Sequence, residues 1–317
     1  MRYFDLHCDT IYRLTDFEQR LPAGENLLQN TGHVDLQRAG SLEQYAQVFA
    51  LFCGYQPVAS QQDAYRRLTR MLDTARHAFA ASGSRLRHCT CAADFLEAQA
   101  QRQVAAFLSI EGAELLQTEA DVQLALQAGV KIVTLTWNFD SVYGCGASTD
   151  DAAGLKPAGK QLAKTLAQRG VFLDVSHLSA KGFWDLADCI DTPILATHSN
   201  SRKICNHPRN LTDEQFCEMI RRGGLVGINF YVPFVTHRRM ATCDMVVRHI
   251  EHFCELGGAH NLCIGADWDG CDRFPKGISD MTGIALLAEA LARRNYSEQQ
   301  IAGFLYDNAA RFVQTNF

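Results

Sequence analysis

The chain has 317 residues, of which 47% are hydrophobic and 21% charged, and its formal net charge is −5. This composition is typical of a folded protein with a sizeable core and excludes a disordered or fibrous chain. The negative balance argues against a general nucleic-acid binder, which needs a basic surface to displace counterions from phosphates. The twelve cysteines are scattered without compact CxxC spacing, so we expect free thiols rather than a disulfide framework.

Neither end of the chain carries a membrane-targeting pattern. The first residues, MRYFDLHCDT, lack the basic and apolar regions of a secretory signal, and no apolar run approaches the ~20 residues of a membrane span. The last residues, DNAARFVQTNF, lack the apolar tail of a lipid-anchor signal. We therefore expect a cytoplasmic protein without membrane attachment.

Short apolar runs alternate with longer helical stretches along the whole chain, as expected of βα units on a parallel sheet. The predicted strands cover residues 3–7, 47–53, 104–110, 131–137, 171–176, 194–198, 225–231 and 262–266. The clearest helical patterns cover residues 64–81, 156–170 and 211–224. Eight strands of this kind predict a closed (β/α)8 barrel of the TIM type.

An open doubly wound sheet is the alternative fold, but the sequence has no Gly-rich phosphate loop after its first strand. No linker, composition shift or internal repeat divides the chain, so we expect a single catalytic domain over residues 1–317. The least regular stretches, 16–32 and 141–155, are interpreted as loops over one mouth of the barrel.

Charged side chains and histidines follow several predicted strands. His7 and Asp9 alternate onto one side of the first strand, and imidazole nitrogen and carboxylate oxygen are both suitable zinc ligands. Glu111 directly follows the third strand, where a charge is costly unless it meets water, a partner or a metal. Each group taken alone is also compatible with a structural or solvated role.

The later strands add further groups of the same kind. His177 and His198 follow the fifth and sixth strands, although a single histidine there is as compatible with a satisfied core residue. Asp267 and Asp269 follow the eighth strand. We expect Asp267 to face the barrel and to perform general acid–base work in hydrolysis, and Asp269 to hold the loop through local hydrogen bonds.

Taken together, these segments resemble the membrane (renal) dipeptidase family of zinc peptidases, in a bacterial-type form, within the amidohydrolase superfamily. The matching segments span nearly the whole chain. In family order they are DLHCDT, HVDLQRAG, LSIEGAE, LTWN, GLKPAGKQLAKTLAQRG, LDVSHLS, ATHSNSR, HPRNLTDEQ, GLVGINFY and GADWDG.

The resemblance implies a dipeptidase that uses a metal-activated hydroxide and tolerates a D-residue at the C-terminal position of its substrate. It implies two Zn²⁺ per chain, or other divalent metals, with these ligands: His7 and Asp9 for one ion, His177 and His198 for the other, and Glu111 as the bridge. Glu111 and Asp267 are then the catalytic residues, with Asp267 as the acid–base group. A homodimer is suggested by the family alone.

The resemblance also implies substrate contacts, with two departures from the mammalian pattern. Arg209, in HPRNLTDEQ, falls where the family holds the substrate's C-terminal carboxylate, a task suited to a planar guanidinium. Trp137, in LTWN, stands where the mammalian enzymes have a histidine that polarises the reacting carbonyl. Phe234 stands where they have a tyrosine. These departures predict a more apolar pocket and leave the preferred dipeptide open.

Two other functions are compatible with the same residues. A metal pair of this kind could hydrolyse an N-acyl amino acid, a lactone or a cyclic amide, because hydroxide attack does not specify the leaving group. A non-catalytic barrel that binds metal is the other alternative. The presence of all five ligand candidates together with Asp267 argues against it.

Overall fold

The computed structural model describes residues 1–18, 20–149 and 152–317. Within these ranges the chain forms nine parallel strands. They are β1 Arg2–Cys8, β2 Gln44–Phe52, β3 Leu86–His88, β4 Val104–Glu111, β5 Val130–Thr134, β6 Phe172–Asp174, β7 Ile194–Ala196, β8 Leu225–Ile228 and β9 Leu262–Ile264.

Helices connect the strands over the same described ranges. They are α1 Thr10–Leu14, α2 Leu36–Ala39, α3 Gln61–Ser82, α4 Ala92–Ala100, α5 Glu119–Gln127, α6 Pro157–Gln168, α7 Ala180–Ala187, α8 Asp213–Arg221, α9 Val232–Val235, α10 Cys243–Glu255, α11 Ile284–Arg293, α12 Glu298–Ala302 and α13 Asn308–Asn316. A π-helical turn, Gly303–Asp307, joins α12 to α13, and short 3₁₀ turns cover Gly83–Arg85, Ala113–Leu115 and Met281–Gly283.

Eight of the strands close into a ring, which confirms the predicted (β/α)8 barrel. Its order is β1, β2, β4, β5, β6, β7, β8 and β9, with β9 pairing back onto β1 at Asp5↔Ile264. The β2–β4 pairing, from Ala46↔Ala105 to Phe52↔Glu111, is the longest seam. Because the sheet closes into a ring, none of the eight ring strands is left as an unpaired edge.

The remaining strand, β3, was not predicted and lies outside the ring. It pairs with the first residues of β4, whereas β5 pairs with β4 only from Leu108 onward. Several predicted strands are longer than the observed strands. Buried residues continue past the strand ends into the loops, so the sequence pattern does not mark where each strand stops. The fourth predicted strand ran to Trp137, but β5 ends at Thr134, so Trp137 belongs to the loop beyond it.

The three helical patterns are confirmed by α3, α6 and α8. The start of α8 shows the local cause, because Thr212 accepts a hydrogen bond from the backbone of Gln215 while the Gln215 side chain accepts one from the backbone of Thr212. This capping box satisfies two amide groups that the first turn leaves free.

An apolar cluster fills the ring near the amino ends of the strands. Each ring strand contributes to it, and α4 and α13 cover it from below. The strand residues are Phe4, Leu6, Ala46, Val48, Ala105, Phe107, Ile132, Phe172, Leu195, Leu225 and Cys263. The polar site is therefore confined to the opposite end, where the strands terminate at their carboxyl ends.

Described residues of both irregular stretches lie at that end, since Asp16, Phe17, Ser141 and Val142 line cavities there together with Tyr55. The first contains Gln19 and the second Asp150 and Asp151, which lie outside the described residues. The second is less irregular than expected, since isolated bridges pair Asp140 with Cys145 and Gly146 with Leu178. All twelve cysteines are free thiols, as predicted. None of the helices in the described ranges has the length and apolar character needed to cross a bilayer.

Candidate metal centre and active site

The five predicted ligands and Asp267 come together at the carboxyl ends of the ring strands. His7 lies within β1 and Glu111 is the last residue of β4, whereas the other four follow the ends of β1, β6, β7 and β9 by one to three residues. The Asp267 side chain is 13% exposed and the His7 side chain 2%. Sequence reasoning therefore identified groups that the fold places in one buried cluster.

Glu111 lies at the centre of this cluster. Its Oε2 atom is 3.6 Å from His7 Nε2, and its Oε1 atom is 2.7 Å from His177 Nε2 and 3.7 Å from His198 Nε2. Potential ligand atoms of His7, Asp9 and Glu111 all lie within 4.8 Å of one another, as do those of Glu111, His177 and His198. The carboxylate thus directs one oxygen to each of two sets of ligand atoms.

Hydrogen bonds fix the tautomers of the two later histidines. His177 Nδ1 lies 2.8 Å from Asn138 Oδ1, an acceptor, so this nitrogen carries the ring proton. His198 Nδ1 lies 2.8 Å from Thr197 Oγ1, whose own hydroxyl donates to Asp174 Oδ2 at 2.8 Å. Both Nε2 atoms are therefore left with lone pairs, and these atoms face each other at 2.8 Å.

These residues fit a divalent cation. Two imidazole lone pairs and a carboxylate would repel one another at such distances. The one N–H donor that the described residues place among them is Arg209 Nη2, which lies 2.9 Å from His177 Nε2. His7 Nε2 and Asp9 Oδ1 are buried without a hydrogen-bond partner among the described residues. Each such atom costs about 1–3 kcal/mol unless it is satisfied, and nitrogen and oxygen ligands of this kind are the set that zinc prefers.

The electrostatics favour a bound positive charge. Burial lowers the pKa of His177 and His198 well below the usual value, so both rings are neutral. Burial would also lower the pKa of His7, but the negative charges of Glu111 and Asp9, each with an oxygen 3.6 Å from His7 Nε2, outweigh it and raise that pKa. Burial, reinforced by Asp9, raises the pKa of Glu111 to about 8. Neutral imidazoles beside clustered carboxylates form a site that attracts cations.

Asp267 is held in an unusual backbone conformation beside this cluster. Its φ is +68°, and Asn229 Nδ2 donates to its Oδ2 at 3.1 Å. Asp269 also has a positive φ, +65°, and accepts hydrogen bonds from Thr10 Oγ1 at 2.6 Å and from the His33 amide at 2.8 Å. Asp269 does hold the loop, but its partners are distant in sequence rather than local as predicted.

A cavity of about 570 Å³ opens onto the cluster. Asp9, Glu111, His177 and Asp267 contribute to its lining, which also contains the aromatic side chains Phe52, Tyr55, Trp137, Tyr231 and Phe234. The Trp137 and Phe234 side chains therefore both line this cavity. The volume suits a small ligand with apolar parts.

Arg209 is buried beside this cavity. Its guanidinium lies 5.2 Å from the ring centre of Phe234, and its Nε and Nη1 atoms have no hydrogen-bond partner among the described residues. Burial lowers the pKa of Arg209 to about 10, so the group stays charged near neutral pH. A buried guanidinium with free N–H groups is suited to binding a carboxylate.

Sequence reasoning missed several residues of the site. Asn138, Thr197 and Asn229 lie within the quoted motifs, and that membership was the available signal; Thr197 also directly precedes His198. Arg13 and Tyr55 line the cavity as well. Their position depends on how the loops cross the barrel mouth, so the sequence carried no comparable signal for them.

A closed parallel barrel with carboxylates and imidazoles at the carboxyl ends of its strands defines the class of barrel metallohydrolases. Within that class, the family model described as membrane dipeptidase (peptidase family M19) matches residues 1–316, and the chain belongs to this family of metallo-dipeptidases.

Relatives and solved structures agree with this family. An uncharacterized Klebsiella pneumoniae protein encoded in the pqqA 5′ region is 32% identical over 258 residues, which covers 78% of this chain and 95% of that protein. A solved structure of the dipeptidase AC, an M19 metallopeptidase, gives a TM-score of 0.88 at 27% identity and covers 100% of this chain and 98% of that one. A metallopeptidase from Rhodobacter sphaeroides, liganded with a phosphinate mimic of the dipeptide L-Ala-D-Ala, gives 0.87 at 26% identity and covers 100% and 99%.

Proposed function

We propose that the protein hydrolyses the peptide bond of dipeptides, including those with a C-terminal D-residue. The observation that carries this proposal is the Glu111 carboxylate, which directs one oxygen to His7 and the other to His177. The dipeptide mimic bound by the Rhodobacter sphaeroides relative supports the choice of substrate class.

We assign two Zn²⁺ to the cluster, with these ligands: His7 and Asp9 for one ion, His177 and His198 for the other, and Glu111 between them. Bound ions would supply Lewis acidity and a nucleophilic water near neutral pH. All five ligand side chains are buried, and Asn138 and Thr197 fix the rings of His177 and His198. Little reorganisation would then be needed when substrate binds.

Asp267 is assigned the proton transfers. Its Oδ1 lies 3.9 Å from His7 Nε2, and Asn229 holds its other oxygen, so one oxygen faces the reacting centre. When water adds to the peptide carbonyl, Asp267 accepts a proton from that water. It then donates this proton to the leaving nitrogen as the C–N bond breaks.

Arg209 is assigned the substrate's C-terminal carboxylate, since its Nε and Nη1 hydrogens are free to donate. A carboxylate held there fixes the distance between the chain end and the scissile bond, so a third residue would have no space. Trp137 forms an apolar wall near this bond, with its ring centre 6.1 Å from that of His177. The arrangement therefore favours dipeptides over longer peptides.

The decisive experiment measures zinc content and the hydrolysis of L,L- and L,D-dipeptides by the purified protein. We expect about two zinc ions per chain and turnover of both series. Asp267→Asn should keep the metal and lose about 10²–10⁴ in kcat, the usual contribution of a general acid–base group. Asp73→Asn, a change of the same kind at an exposed carboxylate on α3, should behave as wild type.

Other outcomes would redirect the assignment. Turnover of N-acetyl amino acids without dipeptide turnover would indicate a different amidohydrolase. Bound zinc without hydrolysis of any amide or ester would indicate a non-catalytic barrel. The cytoplasmic location and the homodimer stay predictions, which cell fractionation and light scattering on the purified protein can test.

A further inference from the structure

A second cavity, of about 340 Å³, lies next to the active-site cavity. Tyr55 and Trp137 line both cavities, with their ring centres 5.6 Å apart. The second cavity is otherwise formed by loops that follow β2, β4 and β5, and its walls include Val58, Phe139 and Val142. Most of this surface would contact an aliphatic stem rather than a polar ligand.

Glu114 is a carboxylate in this apolar wall. It belongs to the 3₁₀ turn that follows β4, and its Oε2 atom is buried without a hydrogen-bond partner among the described residues. Burial raises the pKa of Glu114 to about 7, and hydrogen bonds from the backbone of Glu114 and Trp137 limit that rise. A buried carboxylate oxygen of this kind is stabilised by a cationic partner.

The protein itself provides no such partner within the described part of the chain. Lys156 lines the same cavity, but its Nζ is engaged by Asp140 at 2.9 Å and by the Ser141 carbonyl at 2.5 Å. None of the ion pairs among the described residues includes Glu114. Its Oε2 atom is thus free to pair with a ligand.

The position of the cavity indicates which part of a substrate would reach it. Arg209 follows β7, whereas the cavity lies beyond β2, β4 and β5, on the opposite half of the eight-strand ring. With the C-terminal carboxylate on Arg209, the N-terminal residue extends toward Trp137 and Tyr55. Glu114 lies only three residues after Glu111, the central carboxylate of the metal cluster. Three residues of extended chain limit the distance between their Cα atoms to about 11 Å.

We propose that this second cavity binds a basic side chain on the N-terminal residue of the substrate, with Glu114 pairing to the ammonium or guanidinium group. This inference rests on the proposed dipeptidase function and adds a preference to it. The aromatic walls take the methylene stem, as they do for lysine and arginine side chains elsewhere. The face of Trp137 offers further stabilisation to the cation.

The test compares substrates that differ only in this charge. For the zinc-loaded protein, kcat/KM for Lys-Ala and Arg-Ala should exceed that for norleucine-Ala by at least about tenfold, the usual effect of a charged hydrogen bond. Glu114→Gln should remove this preference and leave norleucine-Ala within about twofold, since the amide oxygen still accepts from the Trp137 backbone.

Glu119→Gln is the matched control, because Glu119 is exposed at the start of α5 and pairs with Arg169 outside the cavity. It should retain the preference for basic residues. Equal ratios of Lys-Ala to norleucine-Ala in wild type and Glu114→Gln would overturn the inference while leaving the dipeptidase function intact. Failure to cleave norleucine-Ala as well as Lys-Ala would count against the function itself.

A binding measurement tests the cavity without turnover. Pentylguanidinium should quench the fluorescence of Trp137 in wild type, and Glu114→Gln should weaken this binding by at least about fivefold. Trp137→Phe removes the reporting ring and should remove the signal. Equal affinity of wild type and Glu114→Gln for this probe would overturn the inference whatever the enzyme cleaves.

Discussion

At the scale of single residues, the missing side chain of Gly270 leaves room for the carboxylates of Asp9 and Asp267 beside its backbone. A methyl group at this position would lie 2.1 Å from Asp9 Oδ2 and 2.4 Å from Asp267 Oδ1. Both distances are far shorter than a van der Waals contact, so one or both carboxylates would have to move. A shift of about 1 Å at a catalytic group is enough to reduce rates about a hundredfold.

Gly270→Ala should therefore lose about 10² or more in kcat/KM, together with part of its bound metal. Gly303→Ala is the control, since its methyl group would meet no atom closer than 3.6 Å. It should keep full activity. Kinetics and elemental analysis on both variants provide the measurement, and a fully active Gly270→Ala would show that Asp9 and Asp267 tolerate displacement.

The metal-ligand candidates that the sequence could identify share one feature: they are charged or imidazole groups at or close to the end of an apolar run. Glu111, which ends VAAFLSIE, shows this plainly. Glu114 and Tyr55 have no such signal, because their positions depend on loops that meet only in the folded molecule. Asp269 shows the same limit, since its partners Thr10 and His33 lie more than 230 residues away in sequence.

At the scale of elements, hydrophobic runs predicted the ring strands but not their ends. Strands β6, β7 and β9 have three residues each, shorter than the predictions, since the buried polar residues that follow them lie in loops. Strand β3, with the sequence LRH, has one buried residue and two half-buried ones. It forms because the first half of β4 is left unpaired by β5, a tertiary cause that a local pattern does not contain.

Helix α10 carries a buried histidine that ties three elements together. His249 Nδ1 accepts a hydrogen bond from the Ser201 amide at 3.1 Å, so its Nε2–H donates to the Val235 carbonyl at 3.0 Å. Burial, aided by Arg248 and His252, lowers the pKa of His249 to about 4. The folded protein therefore holds this ring neutral, whereas the unfolded chain protonates it near the usual value of about 6.5.

Between pH 6.5 and 4 the unfolded chain binds a proton at this position that the folded chain does not, so stability falls as pH falls through this window. At pH 4 the titration of His249 should lower the free energy of unfolding by about 3 kcal/mol. Urea unfolding of wild type and His249→Gln at pH 7, 5.5 and 4.5 measures it. The stability difference between the two proteins should shift in favour of the variant as pH falls, and parallel profiles would contradict the assignment.

At the scale of the whole molecule, the carboxyl-terminal helix α13 closes the end of the barrel opposite the site. Phe312 packs against Phe172, the first residue of β6, with ring centres 5.2 Å apart. Asn308 Nδ2 donates to the Leu262 carbonyl at 2.7 Å, and Arg2 pairs with Asp307 at 2.8 Å. This end of the molecule supports the ring without contributing to catalysis.

Phe312→Ala should therefore cost about 3 kcal/mol through lost packing, which lowers Tm by about 4–5 °C in a chain of this size. Activity per folded molecule should not change. Gln314→Ala, on the exposed face of the same helix, should leave both quantities unaltered. Calorimetry with active-site titration separates the two effects, and a fall in specific activity of folded Phe312→Ala would contradict this division of roles.

The closure of β9 onto β1 has a consequence for the order of events in folding. The groups of the site extend from His7 on the first strand to Asp267 after the last, and those two strands meet only when the ring closes. A ribosome-bound chain that has not yet released β9 therefore has no complete site and no hydrolytic activity. In a refolding experiment, the onset of turnover marks the final docking of strands rather than collapse of the chain.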